Sequence, residues 1–330
     1  MIKKNIFFSN FYREMINKRK AFIVGIKGLK LNYREINFLK KNKPWGIILF
    51  SRNIKTIEQT QKLTQHIRSI FNDNNYPILI DEEGGRVSRL NKIIDTSIFT
   101  PQYFGNLFKV KKKTFFNYYN VYVNQISYLL NLLGINLNSV PTLDVLRPKS
   151  HKIIGNRSFS NNHKIVSKLG DYCIDSFHKK RIGTIIKHIP GHGLAKSDSH
   201  FHLPVVNAKI KELQKIDFYA FKKKSSLFSM TSHIIYKKID SFNTATHSKK
   251  IIKLIRKKIK FKHIIISDDI SMKALKYSIS KNTRLAFIAG CNLVLHCNAK
   301  MSEMLDVAKN SPYLDKFIIK KTYQFYRIIS

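Results

Sequence analysis

The stretch TIIKHIPGHGLAKSDSH, residues 184–200, carries the pattern from which the fold and the function of this chain are best predicted. Its β-branched start, 184–186, predicts a buried strand. The Pro-Gly break that follows suits neither helix nor strand, and it predicts a loop that holds His192, Asp198 and His200. Because histidine titrates close to neutral pH, imidazoles and a carboxylate beyond a strand end indicate proton transfer.

Seven further short apolar runs occur along the chain and alternate with segments of helical spacing. Thr56 and Gln59 form a capping-box pattern that opens one helix, and two other helices are predicted to end at Gly134 and Gly290. Eight apolar strands that alternate with helices predict a single (β/α)8 barrel of the TIM type, an α/β fold. An open doubly wound sheet is the alternative, but no Gly-x-Gly-x-x-Gly follows its first strand. The eight predicted strands are 21–25, 46–50, 78–81, 135–140, 182–187, 227–231, 263–267 and 292–296.

The chain is interpreted as one domain. Its 330 residues suit a single barrel, and no linker, internal repeat or low-complexity block divides them. We expect residues 1–330 to form one catalytic barrel domain, in which 1–20 are an N-terminal extension and 300–330 a helical C-terminal segment.

The net charge is extreme at +40, from 60 Lys and Arg against 20 Asp and Glu. Such a charge favours polyanions, so a basic nucleic-acid-binding protein on a barrel scaffold is one alternative function. The lysines are nevertheless scattered from end to end among abundant Ile and Asn, and no RNA-recognition signature or zinc knuckle is visible. We therefore expect a solvated basic surface and no specific nucleic-acid partner.

Cysteine usage and hydropathy indicate the compartment. Cys173, Cys291 and Cys297 form no Cys-x-x-Cys pair and leave an odd number, which suits a reducing environment. No apolar stretch approaches the length of a membrane span, and the early apolar run is interrupted by Ser9 and Asn10. We expect a cytoplasmic protein without a membrane partner, and a monomer.

Polar clusters follow four of the predicted strands directly. In (β/α)8 enzymes the active site is built from the C-terminal ends of strands and from the loops after them. The clusters therefore predict an active site at one end of the barrel. They are residues 81–86, 187–188, 231–233 and 267–269.

Two adjacent carboxylates, Asp268 and Asp269, end a run of three isoleucines. Successive side chains on a strand point to opposite sides, so at most one of the two is expected to face the mouth of the barrel. We assign that position to Asp268 and expect Asp269 to cap the next helix.

Asp81 and Arg89 bracket a turn that contains Gly84 and Gly85. A carboxylate can accept hydrogen bonds from neighbouring sugar hydroxyls, and an arginine can donate to a hydroxyl or acyl oxygen. The alternative is an internal ion pair that holds the loop. The residues alone leave both interpretations open.

Asp198 and His200 are two residues apart, which suits a carboxylate that orients an imidazole acting as general acid and base. Zinc is the alternative, because His192, Asp198 and His202 are all possible zinc ligands. The chain has no His-Glu-x-x-His motif and no cysteine pair, so we expect neither a metal nor another cofactor.

Taken together, these motifs resemble the β-N-acetylhexosaminidases of glycoside hydrolase family 3, in particular the cytoplasmic type that acts in peptidoglycan recycling. The similarity runs from about residue 21 to residue 298. Its motifs, in order, are WGIILFSRN (45–53), IDEEGGRVSRL (80–90), GINLNSVPTLDV (134–145), IGNRSFS (154–160), KHIPGHG with DSH (187–200), MTSHIIY (230–236), SDDISM (267–272) and AGCNLVLHCN (289–298).

The resemblance implies a retaining β-N-acetylglucosaminidase. By position in the family's motifs, Asp268 would be the nucleophile and His200 the general acid/base, assisted by Asp198. The residues that would bind the N-acetylglucosamine unit are Asp81, Arg89, Arg157, Lys187 and His188.

The resemblance further implies that non-reducing terminal β-1,4-linked N-acetylglucosamine is removed from GlcNAc-anhydroMurNAc-peptides in cell-wall recycling. A phosphorylase that uses phosphate in place of water is the alternative within the same enzyme class. Glu82 stands where the family commonly has Gln, and we expect its charge beside Asp81 to alter the affinity for the sugar.

Overall fold

The computed structural model describes residues 16–148, 152–195, 197 and 203–330. Eight parallel strands close into one barrel, which confirms the predicted (β/α)8 fold over the open sheet. Two further short strands pair with each other outside the barrel. In chain order the strands are β1 (Lys20–Gly25), β2 (Pro44–Leu49), β3 (Ile78–Ile80), β4 (Leu137–Asn138), β5 (Gly183–Ile189), β6 (Val205–Val206), β7 (Phe228–Thr231), β8 (Ile235–Tyr236), β9 (Ile264–Asp269) and β10 (Leu293–His296).

The barrel is closed by pairing of its first and last strands, β1 and β10, and β6 with β8 forms the separate pair. Helices surround the barrel and connect its strands. In chain order they are α1 (Tyr33–Asn42), α2 (Ile57–Phe71), α3 (Pro101–Val110), α4 (Lys112–Leu132), α5 (His163–His178), α6 (Ile210–Lys215), α7 (Asp217–Phe221), α8 (Lys249–Leu254), α9 (Ile279–Ala289), α10 (Met301–Asn310) and α11 (Lys316–Ile329).

The predicted helix signals are largely confirmed. Gly134 follows the C-cap of α4 and Gly290 is the C-cap of α9, both with positive φ. Thr56 caps α2 by accepting a hydrogen bond from the backbone N–H of Gln59. The second half of the capping box is wrong, because the Gln59 side chain accepts from the N–H of Lys55 at 3.0 Å instead.

The core has two layers, which follow from the alternation of side chains along each strand. In β1, Phe22 and Val24 pack outward against the helices, whereas Ala21 and Ile23 pack into the interior of the barrel. The strands are buried on both sides and are therefore apolar almost throughout.

The C-terminal helix α11 closes the N-terminal end of the barrel. The Trp45 ring lies 5.4 Å from the Phe228 ring and 6.4 Å from the Phe325 ring, and the Trp45 Nε1–H donates to Thr322 Oγ1 at 2.9 Å. This aromatic floor closes the end of the barrel at which the strands begin, so the open end is the one at which the strands finish.

A buried ion pair fixes α11 to the same floor. Arg19 Nη2 lies 2.5 Å from Asp73 Oδ2, and the hydroxyl of Tyr326, in α11, donates to the same oxygen at 2.6 Å. Burial alone would lower the pKa of Arg19, but Tyr326 and Asp73 raise it above its ordinary value.

Within the described part of the chain, no helix is long and apolar enough to cross a membrane.

Candidate active site

A cavity of about 310 Å³ opens at the C-terminal ends of the barrel strands. Three of the four predicted polar clusters line it. The fourth, residues 231–233, lies behind the wall and supports it, because Thr231 Oγ1 accepts from the N–H of Asp268 and the His233 ring contacts the carbonyl of Asp269. The wall consists of Phe50, Asp81, Glu83, Arg86, Val87, Arg89, Ile153, Arg157, Lys187, His188, His192, Met230, Asp268, Asp269, Met272, Leu295 and Cys297.

Alternating charges form a connected network on one wall. Lys187 Nζ lies 2.8 Å from Asp81 Oδ1 and 2.6 Å from Glu83 Oε1. Glu83 also receives two bonds from Arg157, each of 2.8 Å. Arg89 stands further away, with Nη2 at 3.9 Å from Asp81 Oδ2. The main cationic partner of Asp81 is therefore Lys187, and the Asp81–Arg89 ion pair, one of the two interpretations that the sequence left open, is present only at long distance.

The network keeps its carboxylates ionised. Burial alone would raise the pKa of Asp81, but Lys187 and Arg89 beside it bring that pKa below the ordinary value. Burial opposes ionisation of Glu83 as well, yet the Arg157 guanidinium and the Lys187 ammonium hold its pKa well below the ordinary range. Both groups are therefore hydrogen-bond acceptors at neutral pH.

The turn after β3 brings this wall together. Gly84 and Gly85 both have positive φ, and a Cβ atom at Gly84 would lie 2.3 Å from the Phe99 carbonyl oxygen. The chain therefore turns sharply between Glu83 and Arg89 and returns both to the cavity, as the glycine pair predicted.

His188 is held by a carboxylate that was not predicted as a site residue. Its Nδ1 lies 2.7 Å from Asp144 Oδ2, and the backbone N–H of His192 donates to Asp144 Oδ1 at 2.6 Å. Burial would raise the pKa of Asp144, but His188 and His192 bring it below the ordinary value. The bond to Nδ1 fixes the ring and leaves Nε2 of His188 to meet a ligand.

His192 lies beside His188 in the cavity wall, with ring centroids 5.5 Å apart. Burial, together with the neighbouring His188, lowers the pKa of His192 to about 4. This imidazole is therefore neutral at physiological pH, and it is unsuited to donate a proton as a general acid there.

Asp268 and Asp269 both line the cavity, so the prediction that at most one faces it is wrong. The cause is a register shift between β9 and β10. Leu293 pairs with Ile266, but Leu295 pairs with Asp269, so β9 holds one extra residue and its side chains no longer alternate.

The Asp269 carboxylate holds backbone and side-chain groups at the ends of two strands. Asp269 accepts from the N–H and the hydroxyl of Ser271 and from the N–H of Cys297. It therefore fastens the turn after β9 to the end of β10. The prediction that Asp269 caps the next helix is wrong, because Ser278 is the N-cap of α9.

Glu82 is turned away from the cavity, and the expectation that its charge acts beside Asp81 is wrong. Its carboxylate is buried and accepts from the backbone N–H groups of Arg89 at 2.7 Å and Leu90 at 3.1 Å. The hydroxyl groups of Ser88 and Thr96 donate to it as well. Glu82 therefore fixes the backbone that carries Arg89, and burial raises its pKa.

Replacement of Glu82 tests this supporting role. Glu82→Gln keeps an oxygen acceptor for both N–H groups, so we expect it to change the free energy of unfolding by about 1 kcal/mol or less. Glu82→Ala leaves two buried donors without a partner and is expected to cost about 2–3 kcal/mol, with a higher KM because Arg89 is released. Urea unfolding and steady-state kinetics of both variants measure this difference, and equal loss in the two would contradict it.

Asp198 and His200, the predicted dyad, and His202 lie outside the described residues. The five predicted sugar-binding residues all line the cavity. Glu83 and Asp144 were missed. Glu83 is one of three consecutive acidic residues, and no sequence signal distinguishes the one that turns inward. Asp144 follows a stretch of mixed polar and apolar residues, 136–143, that gives no sign of a buried carboxylate.

Many glycoside hydrolases are (β/α)8 barrels with ionised carboxylates and other hydrogen-bonding groups in a cavity at the strand ends. Comparison with known proteins identifies the chain as one of these enzymes. Residues 14–321 match the family model described as "Glycosyl hydrolase family 3 N terminal domain". The chain belongs to glycosyl hydrolase family 3.

Relatives of the chain indicate which glycoside hydrolase activity it has. The chain is 31% identical over 306 residues to a beta-hexosaminidase of Haemophilus influenzae (strain PittEE), with 89% of this chain and 85% of that protein covered. It is 30% identical over 289 residues to the beta-hexosaminidase of Neisseria meningitidis serogroup A, with 85% and 78% covered. These relatives support β-hexosaminidase activity.

Solved structures similar to this chain include NagZ enzymes. The native NagZ of Neisseria gonorrhoeae superposes with a TM-score of 0.84 at 27% identity and covers 94% of this chain and 90% of its own. The same protein in complex with N-trifluoroacetyl-D-glucosamine gives a TM-score of 0.81 at 27% identity, with 94% and 90% covered.

Proposed function

We propose that the chain is a retaining β-N-acetylglucosaminidase that removes non-reducing terminal β-1,4-linked N-acetylglucosamine from peptidoglycan fragments. The observation that carries the proposal is the cavity, in which Asp268 and the Asp81–Lys187–Glu83–Arg157 network line one space. The beta-hexosaminidases among its relatives, and a NagZ structure bound to an N-acylglucosamine analogue, support this substrate class.

In the proposed mechanism Asp268 is the nucleophile. Its carboxylate attacks the anomeric carbon, the bond to the aglycone oxygen breaks, and a covalent glycosyl ester forms. His200 donates a proton to the departing oxygen, then accepts one from the water that hydrolyses the ester. Asp198 orients this imidazole. Two inversions at the anomeric carbon leave the released sugar in the β configuration.

In the proposed complex the cavity offers both hydrogen-bond acceptors and hydrogen-bond donors to the sugar. The ionised Asp81 accepts from hydroxyl groups, while Lys187, Arg89 and Arg157 donate. His188, fixed by Asp144, contributes Nε2. Because Asp81, Lys187, Arg157 and His188 are each already held by a neighbour, little of their side-chain entropy is lost when the sugar binds.

The aglycone that we propose is anhydroMurNAc-peptide, and the biological context is cell-wall recycling in the cytoplasm. No cofactor takes part in the proposed steps. The cell-wall origin of the substrate is tested by incubation with purified disaccharide-peptides and detection of free N-acetylglucosamine.

The decisive assay compares a nitrophenyl β-N-acetylglucosaminide with the corresponding β-glucoside. We expect the acetamido sugar to be hydrolysed with the higher kcat/KM, and NMR of the first product to show the β anomer. An initially formed α anomer, or equal hydrolysis of the plain glucoside, would contradict the proposal. Formation of a sugar phosphate in phosphate buffer would indicate the phosphorylase alternative.

The proposed acid/base group is tested separately. His200→Ala is expected to slow hydrolysis of an alkyl or saccharide aglycone by about 10²-fold or more, because such leaving groups need a proton. A dinitrophenyl aglycone leaves without one, so kcat/KM for this substrate, which reports the first step alone and not the hydrolysis of the ester, should be affected much less. Asp198→Asn should show the same dependence on the leaving group with a smaller loss. An equal effect on all leaving groups would exclude the assigned role.

A further inference from the structure

Asp217 is a buried carboxyl group that the proposed mechanism does not use. It begins α7 and is only 1% exposed. Neither carboxylate oxygen has a hydrogen-bond partner in the structure as described. Asp144, which is near enough for its charge to influence the pKa of Asp217, shows the usual arrangement of a buried carboxylate, since it accepts bonds from His188 and His192.

Asp217 packs against the backbone that forms the cavity wall. Gly191 has a φ of +134°, and a Cβ atom at this position would lie 2.8 Å from the Cβ of Asp217. The N–H of Gly191 donates to the carbonyl of His188 at 2.7 Å, and the Tyr236 hydroxyl donates to the carbonyl of Gly191. Since His188 and His192 both line the cavity, Asp217 lies directly beneath the link between two wall residues.

The charged groups around Asp217 do not supply a donor to it. Arg147 forms an ion pair with Glu212, on α6, and Asp144 adds a second negative charge nearby. Tyr236, in β8, is neutral, because burial raises the pKa of its hydroxyl well above the ordinary value. Burial, only partly opposed by Arg147, raises the pKa of Asp217 from 3.8 to about 7.

We propose that Asp217 is a positioning residue that acts as a neutral carboxylic acid and allows the backbone at Gly191 to pack in its place in the cavity wall. Ionisation would leave a buried charge without a hydrogen-bond donor. The wall would have to move for water to reach the carboxylate, and that movement would displace His188 and His192. The link to activity rests on the proposed function, whereas the link to stability does not.

The sign of the pH dependence follows from the direction of the shift. In the unfolded chain Asp217 ionises near its ordinary value, but in the folded protein it binds its proton more tightly. The native state therefore loses stability as pH rises from about 4 to about 7, and the loss is complete above the folded pKa. Asp217→Asn removes the ionisation and keeps the shape of the side chain.

The experiment compares the thermal unfolding of wild type and Asp217→Asn at pH 5 and pH 8. Because part of the wild type's loss has already occurred at pH 5, we expect the Tm advantage of the variant over the wild type to be about 2–5 °C larger at pH 8 than at pH 5. Asp240→Asn is the matched control, because Asp240 accepts from Ser248 and Asn243 and its pKa is lowered. That variant should be less stable than the wild type at pH 8.

The second measurement is the pH profile of hydrolysis. If the wall depends on neutral Asp217, kcat/KM of the wild type should fall between pH 6 and pH 8.5 by at least about threefold more than that of Asp217→Asn, mainly through KM. A Tm difference that does not change with pH, a lower Tm of Asp217→Asn at pH 8, or a variant that fails to fold would overturn the proposal. If neither protein hydrolyses the glycoside, the proposed function fails, and the unfolding data alone decide the role of Asp217.

Discussion

Asp268→Ala is expected to lower the turnover of a nitrophenyl β-N-acetylglucosaminide by roughly 10⁴-fold or more, with little change in stability. The reason is that no glycosyl ester can form once the carboxylate is removed. The backbone of residue 268 is held by Thr231 through its N–H, and this bond does not depend on the side chain. Steady-state kinetics at saturating substrate measure the loss of turnover, and thermal unfolding measures the change in stability.

Chemical rescue separates loss of the nucleophile from general damage. The space left by Asp268→Ala lies on the face from which the carboxylate would attack, so added azide should restore turnover and yield the α-glycosyl azide. Asp269→Asn is the neighbouring control. It should lower stability, because the bonds to Ser271 and Cys297 weaken, while far more activity remains than in Asp268→Ala. Full activity of the Asp268 variant would end the assignment of the nucleophile.

Glu83→Gln is expected to have the largest effect on stability. The substitution keeps the shape of the side chain but leaves Arg157 and Lys187, both buried, with one negative charge fewer between them. Breaking a buried ion pair in this way costs about 3–5 kcal/mol. Both cations are proposed to bind the sugar, so kcat/KM should also fall. We expect a loss of roughly 10³-fold, which corresponds to about 4 kcal/mol of binding free energy at 1.4 kcal/mol for each factor of ten.

The pH dependence of this effect has a definite sign. The pKa of Glu83 is well below its ordinary value in the folded protein, so the stabilisation is present above about pH 4.5 and is lost as the pH falls. The difference in unfolding free energy between wild type and Glu83→Gln should therefore shrink in acid. Glu58→Gln is the matched control, because Glu58 pairs with Lys62 on the exposed face of α2. We expect no measurable change for it, and a loss as large as that of Glu83→Gln would refute the argument from burial.

The barrel was predictable because its determinants are local. Runs such as 184–186 and 264–266 are β-branched and buried throughout, as parallel strands are when helices cover one side and the barrel interior the other. The ends of the helices were equally readable at Gly134 and Gly290. Gln59 shows the limit of such signals, since its side chain accepts from the backbone N–H of Lys55 and not from that of Thr56, as expected for a capping box.

The site was predicted less completely. Asp81, Lys187 and Asp268 could be found because they stand at strand ends, where a barrel exposes its active site. Glu82 and Glu83 follow Asp81 directly, and which of them faces inward depends on the turn at Gly84 and Gly85, a feature of three-dimensional geometry. The one-residue bulge in β9 likewise decides that Asp269 reaches the cavity, and nothing in the isoleucine run before it signals a bulge.

The aromatic floor also bears on how the chain is made. Trp45 and Thr322 are 277 residues apart, yet they share a buried hydrogen bond at the base of the barrel. During synthesis the early strands must wait for α11 before their lower ends are covered. Nascent chains in which α11 has not yet emerged from the ribosome should therefore expose Trp45 and Phe228, and chaperones that recognise aromatic surface are expected to bind them until this helix packs.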